Sequence, residues 1–129
     1  AEKVIVRALK QHWDSKLARE YGFVVGQDSA RQLATAEAWL PAHTDDAQLL
    51  LTLGRLSARE ELWGKARDYF ERSYGLERSA EVCAELGRLL VALGEPKVAG
   101  AYYREGLLLS ESSLPELPMP ERTGVAVKS

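Results

Sequence analysis

The chain has 129 residues, 46% hydrophobic and 28% charged, with a net charge of −2. Those values suit one ordinary globular domain. They exclude a disordered chain, and a nucleic-acid-binding one would need a basic total or a basic stripe with stacking aromatics, neither of which is present.

A single cysteine, Cys83, leaves no internal disulfide and fits a reducing compartment without requiring one. No run approaches the ~18 apolar residues of a membrane span. The opening AEKVIVRALKQHW has no apolar core of a secretory signal. It also starts in helical character without an initiator Met, which predicts a piece of a longer protein.

Glycine and proline punctuate a helical pattern. Val4, Ala8, Leu9, Trp13, Leu17 and Tyr21 recur at three- and four-residue spacing and predict one amphipathic helix from Ala1 to about Tyr21. Gly22-Phe-Val-Val-Gly26 breaks it. Asp28 or Ser29 caps a second helix running to about Trp39, with Pro41 beyond its end. Asp45-Asp46 begins a third, carrying Leu49, Leu50, Leu53 and Leu56. Trp63-Gly64 opens a fourth with Ala66, Phe70, Ser73 and Tyr74. Ser79 caps a fifth with Val82, Cys83, Leu86, Leu89, Leu90 and Leu93. Gly94-Glu-Pro96 separates it from a sixth with Val98, Ala99, Tyr102, Tyr103 and Leu107. No run alternates with period two, so the fold class is all-α. From 111 to 129 three of the five prolines cluster and the helical period disappears. This tail is expected to be mobile, or strapped on the last helix by Leu114, Leu117 and Met119.

The stretch LGRL occurs at Leu53–Leu56 and at Leu86–Leu89, an offset of 33. The same offset pairs Ala66 with Ala99, Phe70 with Tyr103 and Arg55 with Arg88. That spacing and residue order resemble the tetratricopeptide repeat, a helix-turn-helix unit near 34 residues. Leu50, Leu53 and Gly54, then Ala66, Phe70 and Ser73, occupy its signature in one unit. Cys83, Leu86 and Gly87, then Ala99, Tyr103 and Gly106, occupy it in the next. Gly54 and Ala66 are expected to let two helix backbones approach closely. The final Pro of the motif is missing from both units. Residues 1–44 are read as a degenerate first pair, with Tyr21-Gly22 near the Leu-Gly slot and Ala34 and Ala38 near the second-helix slots. Residues 45–78 form the second pair and 79–110 the third. Three such pairs predict a short right-handed superhelix over residues 1–110.

The wording QLATAEAWLPAHTDDAQLLLTLGRL, ELWGKARDYFERS and AELGRLLVALGEPKVAGAYYREGLLL goes beyond the general motif. Over roughly residues 8–110 it resembles the C-terminal part of the HemY family of bacterial proteins. The resemblance implies a parent protein anchored in the inner membrane, with this fragment as its soluble repeat domain. It also implies a link to a late stage of protoheme IX synthesis. The name is shared with an unrelated oxidase, so no flavin chemistry follows from it.

No residue set suggests an enzyme. CxxC, HExxH, GxGxxG and P-loop spacings are all missing. His43 reads as a solvated turn residue, His12 as helix surface or packing, and Cys83 as an inert core thiol. Each of these and Met119 offers a donor for haem iron. No two have motif spacing, so no cofactor or metal is expected, with haem as the one candidate. Asp45-Asp46 and Glu60-Glu61 sit at helix ends, where carboxylates are favoured without any catalytic role. Trp13, Trp39 and Trp63 fall about one per helix pair and are expected to fill the core at unit junctions.

Stacked helix pairs line a concave groove with their first helices. Counting from the Leu-Gly slot places Gln48, Leu51, Arg55 and Arg59 of the second unit on that face, with Glu81, Ala84, Arg88 and Val91 of the third. Lys16 and Arg19 join them from the first helix. Arginine's planar fork suits a carboxylate, of a peptide or of a porphyrin propionate. The alternative is that the arginines pair with neighbouring glutamates, Arg88 with Glu85 or Glu81. The favoured reading is a non-catalytic scaffold binding a peptide or protein in the groove, late haem-synthesis enzymes among the candidate partners. The other is a haem or porphyrin carrier with Leu51 and Val91 as its apolar wall. The uncovered last helix, with Leu107, Leu108 and Leu109 together, offers a homodimer surface. Neither nucleic-acid binding nor membrane insertion by this fragment is expected.

Overall fold

The computed structural model describes residues 1–120. In chain order the helices are α1 (Glu2–Gln11), α2 (Ser15–Tyr21), α3 (Ser29–Glu37), α4 (Ala47–Arg59), α5 (Trp63–Leu76), α6 (Ala80–Ala92) and α7 (Pro96–Glu111). A 3-10 turn at Leu40–Ala42 precedes α4, and no strand occurs among the described residues. None of these helices is long and apolar enough to cross a membrane.

The single helix expected up to Tyr21 is two helices. His12 is extended, with φ −155° and ψ 121°, and Asp14 caps a new start by accepting from the Lys16 and Leu17 amides at 2.9 and 3.4 Å. The apolar period continues across the break, but a strong N-cap residue and the anchoring of Trp13 override it. Trp13 Nε1 and Ser15 Oγ both donate to Asp46 Oδ2, at 2.9 and 2.6 Å. The other oxygen of Asp46 accepts from the Gln48 and Leu49 amides and caps α4. One carboxylate therefore starts α4 and ties the first unit to it.

Helices α4–α5 and α6–α7 pack as hairpins and α5 packs on α6, whereas α2 and α3 each pack against α4 and α1 packs against α2. Two apolar clusters hold them. Tyr21, Leu33, Ala36, Leu50, Leu53 and Tyr69 join the first unit to the second. Leu51, Ala66, Phe70, Val82, Leu86 and Leu90 join the second to the third. Helix α4 contributes to both, which is why its LLLTL run is buried all round.

The recurrent LGRL marks one recurrent contact. A Cβ on Gly54 would lie 2.4 Å from the Phe70 ring, and one on Gly87 would lie 2.7 Å from the ring of Tyr103. Each glycine thus makes room for the aromatic residue of its own hairpin partner, rather than for the close backbone approach expected at Gly54. In the first unit the second-helix slots differ from expectation. Ala34 and Ala38 are exposed, and Gln32, Leu33 and Ala36 are buried instead. Gln32 Nε2 donates to the carbonyls of Tyr21 and Val24 at 3.1 and 2.9 Å. Its Oε1 accepts from the Gly26 amide at 3.2 Å. A polar residue in a packing slot therefore tethers the loop between α2 and α3.

The α4–α5 and α6–α7 turns share one geometry. The amides of Leu62 and Glu61 bond the carbonyls of Ser57 and Ala58, as those of Glu95 and Gly94 bond Leu90 and Val91. Both are Schellman endings with a left-handed residue after the helix cap. Gly94 holds φ 81° there and Glu61 holds φ 57°. A side chain in that region costs of order 1 kcal/mol. Glu61→Gly is therefore expected to stabilise the fold by about 0.5–1 kcal/mol, seen as a higher urea midpoint at unchanged slope. A lower midpoint would mean that the Glu61 side chain makes a contact worth more than the strain.

Two further expectations change. Trp13 and Trp39 are partly buried against the first core, edge to face at 5.7 Å, but Trp63 is 43% exposed and fills no core. Leu114, Leu117 and Met119 are exposed, so residues 112–120 do not strap α7; residues 121–129 lie outside the described residues. Leu107 and Leu108 of α7 are exposed as well.

Candidate functional site

Helices α2, α4 and α6 turn charged faces towards one another. Arg19 Nε on α2 donates to Glu81 on α6 at 3.0 Å, across the intervening unit. A residue of the first unit reaches the third only where the stack bends inward, so this contact marks the concave face. Arg55 on α4 donates to Glu81 and to Glu85, each at 2.6 Å. Arg88 pairs with the other oxygen of Glu85. The result is a continuous ion-pair chain from α2 to α6.

Burial disfavours the Glu81 carboxylate, but hydrogen bonds from Arg19 and Arg55, with their charges, outweigh it and hold the group below the usual carboxylate range. The Glu81 hydrogen bond likewise holds Arg19 above its ordinary value. Phe23 lies over this chain, its ring centroid 4.6 Å from the Arg55 guanidinium carbon and 5.1 Å from that of Arg19. Its position follows from α2 ending at Tyr21. The turn after Gly22 swings Phe23 onto the groove, and Arg59 fixes the turn by donating to the carbonyls of Gly22 and Val24.

Beside the ion-pair chain opens an apolar slot of about 550 Å³, between the Phe23 turn, the end of α4, the start of α5 and the second half of α6. Phe23, Trp63, Ala58, Leu89 and Ala92 supply its apolar surface, with Arg55, Arg59, Arg88 and Glu85 among the residues that line it. Phe23 and Trp63 are 49% and 43% exposed. The Arg59 guanidinium is held below its ordinary value, by burial first and then by repulsion from Arg55.

The groove residues expected from sequence separate into four groups. Arg55, Arg59 and Arg88 come together in the slot, and Arg19 stands next to them on the ion-pair chain. Val91 is exposed on α6 and Lys16 on α2, but neither lines the slot. Gln48 is at the opposite end of α4, where it lines a polar crevice with Trp13, His43 and Glu77. Leu51 does not belong to the groove: α4 is covered on two sides, and Leu51 is buried against the third unit. The apolar wall of Leu51 and Val91 imagined for a porphyrin therefore does not exist. The glutamate pairing considered for Arg88 does occur.

His12 is exposed, whereas His43 is stacked on Trp13 with centroids 3.8 Å apart rather than simply solvated. Cys83 is buried, and burial, then Glu105, pushes its thiol pKa up, leaving it protonated. No group of three metal-ligating side chains is found among the described residues. Phe23 and Trp63 are the slot residues that sequence periodicity missed. The available signal for Phe23 was an aromatic residue between two glycines, in GFVVG, where a helix period has already failed.

Comparison with solved structures shows the fold. The chain is similar to "MamA RS-1 ArsTM double mutant", with 20% identity and a TM-score of 0.71, covering 88% of this chain and 66% of that one. It is also similar to YrrB, described as a TPR protein with an unusual peptide-binding site, at 21% identity and a TM-score of 0.68. That match covers 88% of this chain and 60% of the other. The all-α, tetratricopeptide-type repeat architecture is thus the fold of this chain. No protein-family model matches it, and no curated protein does.

Proposed function

We propose that this chain is a non-catalytic protein-interaction scaffold that binds a peptide or protein segment along its concave face. The observation carrying the reading is the Arg19–Glu81 contact across three units, 3.0 Å long, with an open apolar slot beside it. Concave faces of stacked helix pairs are extended binding surfaces. The slot adds two half-exposed aromatic side chains, Phe23 and Trp63, in one concavity, and concave apolar surface with a few charged groups is what binding sites use. The peptide-binding site named for YrrB supports the same class of partner. The HemY-like wording over residues 8–110 supports a finer reading: the repeat domain of a membrane-anchored parent that gathers partners of late haem synthesis.

The test is photo-crosslinking from residue 92, an exposed position of α6 that lines the slot, in a bacterial lysate, with the wild type and Trp63→Ala/Arg88→Glu compared by mass spectrometry. Neither replaced side chain belongs to the two apolar clusters, so the variant is expected to keep its helical circular dichroism. Partners captured by the wild type and lost from the variant would establish groove binding. Late haem-synthesis enzymes among them would support the finer reading, and a specific set without them would end it. Identical sets from the two proteins would end the groove reading.

A further inference from the structure

We infer that the slot between Phe23 and Trp63 is a side-chain subsite for one aromatic or large aliphatic residue set within an acidic peptide segment. The inference rests on the scaffold reading and adds the chemistry of what the groove accepts.

Three observations lead to it. The first is the sign of the wall. Arg55, Arg59 and Arg88 of the slot wall outnumber the carboxylates bonded to them, Glu85 and Glu81. The whole chain carries −2, so the slot is positive against its background. Glu85 is already shared between Arg55 and Arg88. Arg59 spends its hydrogen bonds on two carbonyls and has no carboxylate partner among the described residues. Arg55 Nη1 is buried without an acceptor. Arg88 is 70% exposed and able to turn towards an incoming anion.

The second observation is apolar. Phe23 and Trp63 present rings to the same slot and both remain substantially exposed. Large, stiff aromatic side chains of this kind form the anchor-binding pockets of interfaces, at little cost in ordering.

The third is rigidity. The Phe23 turn is pinned by Arg59 and by Gln32, and Phe23 itself rests on two guanidinium groups. Trp63 opens α5 directly after the left-handed Glu61 turn, so its backbone is fixed too. A slot preformed in this way loses little freedom when it is filled. A ligand that matches both features offers an apolar side chain flanked by Asp or Glu. Basic or uniformly apolar segments match only one of them.

The experiment is selection from a random peptide display library against the wild-type chain. Synthetic versions of the enriched peptides are then titrated against the wild type, Trp63→Ala and Arg88→Glu. Enriched sequences are expected to share an aromatic or large aliphatic residue bordered by Asp and Glu. Trp63→Ala is expected to weaken them roughly tenfold or more, the effect of losing an interface anchor. Affinity should fall as salt is added, and the Trp63 indole resonance should shift on binding. Enrichment of basic or featureless sequences would overturn the inference. So would peptides that bind the Trp63→Ala variant equally and perturb other groove residues, and in that case the scaffold reading would survive. A library that yields nothing above background would end both.

Discussion

Gly54→Ala is expected to destabilise the fold by about 2–3 kcal/mol, whereas the same change at the equivalent Gly87 should be close to neutral. Both sites repeat one contact, with an added Cβ 2.4 Å from the Phe70 ring in one case and 2.7 Å from the Tyr103 ring in the other. Neither distance is tolerable without movement. The difference lies in what can move. Phe70 is buried within the second apolar cluster, where Leu89 and Leu90 of the third unit also pack. Displacing it forces strain or opens a void in a close-packed region. Tyr103 belongs to the last pair, its outer face uncovered, and it can swing towards solvent. Alanine also recovers about 1 kcal/mol of helix propensity over glycine at either position, which offsets the smaller cost but not the larger. Thermal and urea unfolding of the two variants measure the contrast directly. Equal losses would mean that Tyr103 is held as firmly as Phe70, by a partner on the α7 face. A gain at Gly54 would mean that the second and third units repack easily around Phe70.

The residues that were legible in the sequence are those whose environment repeats. Gly54, Phe70, Gly87 and Tyr103 recur at a fixed offset because the same intrahairpin contact recurs, and a period needs no knowledge of distant neighbours. The residues that escaped depend on stacking. Leu51 sits on the face of α4 that counting assigns to the groove, yet burying it takes only the closeness of α6, which no local pattern reports. The first helix split at His12 because Asp14 is a strong cap and Trp13 finds Asp46 31 to 33 residues away along the chain with Ser15. A continuous apolar stripe hides such a break. Phe23 reaches the groove because α2 ends at Tyr21 and the chain turns after Gly22, so its position follows from that ending rather than from any motif. Arginine at a repeated offset was visible, but its meaning was not. Arg55 and Arg88 occupy equivalent places in successive units, and one is 12% exposed where the other is 70% exposed.

That inequality sets the second large effect: Arg55→Ala is expected to cost about 2–3 kcal/mol, and Arg88→Ala less than about 0.5 kcal/mol. Arg55 supplies the hydrogen bonds that join Glu81 and Glu85 to α4, and its guanidinium supports Phe23. Truncation leaves two partly buried carboxylates side by side on α6 with one fewer cation between them, and such losses exceed the net worth of the pair. Arg88 loses only a surface partner. The acid dependence separates this account from simple loss of packing. Glu81 has its folded-state pKa depressed below the ordinary value, by hydrogen bonds and charges that outweigh burial. A depressed carboxylate contributes stability in full above the unfolded value, near ~4.3, and loses it as pH falls through the lower folded value. The difference between wild type and Arg55→Ala should therefore be largest at neutral pH and shrink as the solution is acidified below ~4. Urea unfolding at pH 7 and at the lowest pH where both chains fold gives the two gaps. A gap that stays constant would assign the loss to the Arg55 stem and its contact with Phe23. A shrinking gap would establish the ion-pair chain as what draws the three first helices together, so that charge reversal at Arg55 would report on the shape of the groove before it reported on any ligand.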